Sequence, residues 1–88
     1  VLQIKFDTFR DPHFIDLCAR ECPIIVVYYN PLDHPGKYVA RLWGWNCVAR
    51  PEYVKRDSLE EIRNCIPKGM CMIPREPSDD PVIVEIWA

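Results

Sequence analysis

Apolar and polar residues alternate over Leu2-Gln3-Ile4-Lys5-Phe6, the period-two pattern of a short half-buried strand. Asp11-Pro12 then reads as a helix entry: Asp suits the N-cap, and Pro suits the first helical position, where a missing N–H costs nothing. With Phe14, Leu17, Cys18 and Cys22 at helical spacing, the pattern predicts a helix over Pro12 to Glu21, ended by Pro23. Ile24-Ile25-Val26-Val27-Tyr28-Tyr29 is unbroken, β-branched and aromatic, which predicts an interior strand buried on both faces. Asn30 to Gly36 is dense in turn residues and is a loop. Lys37 to Trp43 returns as a strand, with Tyr38, Ala40 and Leu42 on one face and Val39, Arg41 and Trp43 on the other.

Gly44-Trp45-Asn46 reads as a turn. The strand after it is interrupted at Pro51, which predicts an edge position or a bulge, and continues over Glu52 to Arg56. Ser58 and Glu61 have capping-box spacing, and Leu59, Ile62, Cys65 and Ile66 form an apolar stripe behind them. These features predict a helix from about Ser58 to Ile66, stopped by Pro67. Met70 to Ile73 is a further strand and Pro74 to Pro81 a loop. The last strand is Val82 to Trp87, with Val82, Val84 and Ile86 on one face. The sum is one α+β domain over residues 1–88, with a mainly antiparallel sheet of four or five strands and two short helices.

Composition narrows the function classes. With 88 residues the chain holds one core, and 49% hydrophobic residues exclude a disordered chain. A net charge of −2, with both signs interspersed, lacks the basic excess of a nucleic-acid binder. The densest basic stretch, Arg50 to Arg56, is broken by Glu52 and reads as a solvated strand face. The longest apolar run, Ile24 to Tyr29, falls far short of the roughly 18 residues of a membrane helix. No signal-peptide pattern is present, so the expectation is a cytoplasmic protein without a membrane partner. Five cysteines, an odd count with no C-x-x-C, point to reduced and mostly buried thiols without a structural disulfide.

The stretch from Tyr29 onward resembles a group of short bacterial proteins of unknown function. Asn30-Pro31, Asp33 to Val39, Leu59 to Arg63, Ile66-Pro67 and Asp80 to Glu85 carry the likeness. The resemblance implies a bacterial origin and the same division into elements. It implies no activity, and it leaves out the cysteine-rich beginning.

Four constellations could carry chemistry. His13, Cys18 and Cys22, completed by Cys47, Cys65, Cys71 or His34, could hold a metal, but no standard zinc spacing is present and packing cysteines are the plainer reading. A cysteine nucleophile would need a base within reach, for which His34 is the more available histidine. Asp79-Asp80 with Glu76 could hold a hard cation, although between prolines such residues more often form turns. Among Trp43, Trp45 and Trp87, strand alternation puts Trp43 and Trp87 opposite the faces of Tyr38/Leu42 and Val84/Ile86, in the company of Arg41 and Glu85. If helices cover one sheet face, Trp43, Trp87, Arg41 and Glu85 mark the other, a surface of the interface type. In a twofold dimer, Arg41 of one copy would then meet Glu85 of the other. The alternative is that both faces are covered within one chain. The leading expectation is an interaction or assembly module acting on an open sheet face, with itself as a homodimer or another protein as partner. No cofactor, metal or catalytic residue is expected. The rival is a small thiol- or metal-dependent enzyme or metal-binding protein using the cysteines and His34.

Overall fold

The computed structural model describes residues 4–10, 23–44 and 49–88. Along the described chain run β1 (Ile4–Lys5), β2 (Ile24–Tyr29), β3 (Tyr38–Trp43), β4 (Ala49–Arg56), the helix α1 (Leu59–Arg63), β5 (Met72–Pro74) and β6 (Ile83–Trp87). The strands form one six-stranded sheet in the order β1-β4-β3-β2-β6-β5. The apolar run of β2 occupies an interior place, antiparallel to both β3 and β6. The sheet is mixed, because β1 pairs with β4 in parallel while the other neighbours are antiparallel. The α+β class holds, with more strands than the four or five expected. The expected helix over Pro12 to Glu21 lies outside the described residues.

Two bulges set which side chains share a face. Arg41 pairs with Tyr53 and Trp43 with Ala49, so β4 spends extra residues across Pro51, which has no N–H to give the ladder. Val27 pairs with Glu85 and Tyr28 with Ile83, so Val84 is the extra residue of β6. That irregularity lets Val84 pack against the core together with Trp87, although strict alternation would carry it to the other side.

The core lies between one sheet face and α1. Ile25 and Val27 of β2, Ala40 and Leu42 of β3 and Val54 of β4 meet Phe9, Ile62, Cys65 and Ile66 there. The stripe predicted for the helix is therefore the buried one. The α-helix itself is shorter than expected: beyond Arg63 the chain tightens into turns, with Cys65 N–H donating to the Ile62 carbonyl and Ile66 N–H to that of Arg63. Arg10 Nε donates to the Ile66 carbonyl at 2.7 Å and Phe9 N to that of Cys65 at 3.0 Å, so the segment after β1 ties down the end of this turn.

Ser58 caps α1 as its spacing predicts. Its hydroxyl accepts from Glu61 N at 3.2 Å, and the Glu61 carboxylate accepts from Asp57 N at 3.2 Å. Ser58→Ala should cost about 1 kcal/mol, seen as a lower urea midpoint at unchanged slope. Just before the cap, the Lys37 ammonium bonds to Asp57 and holds its carboxyl below the usual carboxylate range.

Candidate binding face of the sheet

Opposite α1, the sheet presents a second face built by the other half of each strand. Ile24, Val26 and Tyr28 of β2, Trp43 of β3, and Ile83 and Ile86 of β6 line a groove of about 250 Å³ there. The registers explain the gathering: Val26 lies between Arg41 and Ile86, Ile24 faces Trp43, and Tyr28 faces Ile83. Burial pushes the Tyr28 phenol up from its ordinary value, while the Trp43 indole and Arg41 nearby act in the opposite sense. The indole Nε1 of Trp43 is buried close to the Tyr28 phenol.

Beside the groove, toward β4, the face turns polar. Arg41 bonds to Asp33, and its guanidinium lies 5.7 Å from the ring centre of Tyr53. His34 stacks against the same tyrosine at 5.2 Å, with its Nε2 at 3.8 Å from Asp33 Oδ2. The loop between β2 and β3 holds these groups in place. Asn30 adopts φ 55° and Gly36 φ 73°, the left-handed values that let the chain reverse, and the Asn30 side-chain oxygen accepts from Gly36 N at 2.7 Å. Leu32, on the same loop, is 101% exposed.

The structure does not bring the four expected interface residues together. Arg41 and Trp43 lie on the face opposite α1, as strand alternation predicts. Trp87 and Glu85 lie on the face of α1, because they pair with Ile25 and Val27 of the core side. Glu85 is 3% exposed and takes two hydrogen bonds from Arg63 of α1, at 2.9 and 3.3 Å. Its charge is matched within the chain and is not available to Arg41 of another copy. The position of Trp87 is taken on the face opposite α1 by Ile86 and Ile83, of which the alternation over Val82, Val84 and Ile86 sets Ile86 on the core side. Unbroken hydrophobicity in β2 was their signal, since a strand apolar on both faces needs apolar neighbours on both.

The rival chemistry is not assembled among the described residues. Cys65 is buried on the α1 face, with its Sγ 3.3 Å from the Glu61 carbonyl, and the sheet stands between it and His34. Cys71 is exposed next to the end of β6, where its backbone pairs with Ala88. Neither of these two described cysteines is in a disulfide. No group of three His, Cys, Asp or Glu among the described residues could hold a metal ion. His13, Cys18, Cys22, Trp45 and Cys47 lie outside the described residues. Asp79 and Asp80 form the turn before β6: Asp79 Oδ2 accepts from Glu76 N at 2.8 Å, and Asp80 Oδ1 from Val82 N at 3.1 Å. No described helix is long and apolar enough to cross a membrane.

The fold and the groove define a small α+β domain whose described helix packs on one sheet face and whose other face carries an apolar groove beside a polar half. No family model, curated protein or solved structure matches the chain.

Proposed function

We propose that the chain is an interaction module that binds a partner protein through the sheet face opposite α1. The observation that carries this reading is the groove of Ile24, Val26, Tyr28, Trp43, Ile83 and Ile86, apolar in nearly all of its lining and edged by Arg41. Aromatic and aliphatic side chains gathered in this way contribute binding energy when a partner excludes water from them, at about 25 cal/mol per Å² of apolar surface. A tryptophan and a tyrosine in the lining, with an arginine beside them, are the residue types that dominate such contacts.

The test asks whether the face belongs to the chain's own interior. Ile83→Lys should leave the circular dichroism of the free protein intact and lower its stability by no more than about 1 kcal/mol, the scale of a surface change. A lysine forced into a packed interior would instead cost several kcal/mol or prevent folding. Urea denaturation of the two forms decides between these results. A collapse of the Ile83→Lys protein would mean that the chain covers its own groove, and the binding-face reading would fall.

A further inference from the structure

We infer that the partner is a second copy of this chain, seated face to face about a twofold axis that runs along β2. The inference rests on the reading of this face as a binding surface. What selects the partner is the order of charge across the sheet. The strand registers set Ile73, Ile86, Val26, Arg41, Tyr53 and Lys5 in one row from the β5 edge to the β1 edge. The neighbouring row runs Ile83, Tyr28, Val39, Lys55. The face is thus apolar over β5, β6 and β2, and basic over β3, β4 and β1, where Lys5, Lys37, Arg41 and Lys55 outnumber the two acids Asp33 and Asp57, bonded to Arg41 and Lys37. Beyond the apolar side, the turn between β5 and β6 carries Glu76, Asp79 and Asp80 against the single base Arg75. Asp80 stands near enough to Tyr28 for its charge to help raise the phenol's pKa. A basic flank, an apolar middle and an acidic flank therefore follow one another across one surface.

A twofold axis along the strands exchanges left and right while keeping position along the strand. It lays the groove of one copy on the groove of the other, and it brings the basic flank of each over the acidic flank of its mate. Lys55 lies in the row of Tyr28, at the strand end where the acidic turn enters β6, so this operation carries it toward Glu76 to Asp80 of the second copy. An axis across the strands would instead set base on base and acid on acid. Two sheets stacked with nearly aligned strands are the ordinary geometry of a sandwich, and the apolar middle supplies its filling.

Sedimentation of the full chain at micromolar concentration should give twice the chain mass of 10.4 kDa. Lys55→Glu and Glu76→Lys, each alone, place like charges on both flanks and should each raise the dissociation constant at least tenfold. Mixing the two variants should restore a dimer of nearly wild-type strength, because in the mixed pair both flanks are complementary again. A wild-type monomer while Ile83→Lys stays folded would overturn the second-copy inference and leave the face to a different protein. A dimer that neither charge reversal weakens, or that mixing does not restore, would place the contact elsewhere and overturn it too. Unfolding of Ile83→Lys would strike the binding-face reading itself.

Discussion

Phe9→Ala should lower the stability of the folded chain by about 3–5 kcal/mol, the largest loss expected from any single truncation in this core. Phe9 is 0% exposed and sits among Ile25, Val27, Leu42, Ile62 and Ile66, with the ring of Phe6 at 6.0 Å. Its backbone N–H donates to the Cys65 carbonyl at 3.0 Å, so the ring is fixed where the segment after β1 crosses the turn that ends α1. Sheet on one side and helix on the other leave little room to collapse into the space of a lost ring, and the cavity term then adds to the lost transfer energy. Domains of this size hold only about 5–15 kcal/mol in total, so the variant should stand near the edge of folding at room temperature. Urea titration followed by circular dichroism measures it. A change below about 1 kcal/mol would mean that the ring is not part of the core.

The second large effect is expected at the ion pair under α1. Arg63→Met removes the partner of Glu85 and leaves a carboxylate that is 3% exposed between sheet and helix. The expected cost is about 3 kcal/mol, the low end for a broken buried pair, because Arg63 keeps half of its own side chain in water. Replacing both partners with methionine should cost less than the single change, since no charge is then stranded. The comparison isolates the penalty of the orphaned carboxylate from the worth of the pair. If the double variant proved as damaged as Arg63→Met, the arginine's contribution would lie in packing and not in charge.

Much of this architecture is written locally. The Ser58–Glu61 spacing announces the start of α1, and Leu59, Ile62, Cys65 and Ile66 announce its buried side. The unbroken apolar run of β2 announces an interior strand, and Pro51 announces the irregularity of β4. What could not be read depends on partners far away in the chain. Alternation over Leu2 to Phe6 announces β1, but its pairing with β4, Ile4 with Glu52, joins segments that share no pattern, so its place at the edge and its parallel sense have no signal in the sequence. Phe9 sits in a stretch with no periodicity to mark it as core. Alternation over Val82, Val84 and Ile86 sets Glu85 and Trp87 opposite the core, but the bulge at Val84 breaks that alternation and turns both to the α1 face, where Arg63 matches the Glu85 carboxylate. Of the candidate site, Arg41 and Trp43 were legible because β3 stays regular from Tyr38 to Arg41 and alternates as a strand should.

The edge strand β5 bears on how far such a protein can build upon itself. Cys71 and Ala88 exchange both backbone hydrogen bonds, so alternation gives the next bonded pair to Ile73 with Ile86 and turns the backbone of Met72 and Pro74 outward. Of these two outward residues, Pro74 has no N–H, and a strand arriving from outside would meet a single donor, that of Met72. The opposite edge, β1, spans two of the described residues. Among the described residues neither edge offers the long ladder on which a fibre grows, although Met72 and Ile73 are exposed and apolar. The described rims thereby resist polymerisation strand by strand. On the proposed reading of the second face, a partner comes flat against the sheet, in an arrangement that is complete once that face is filled.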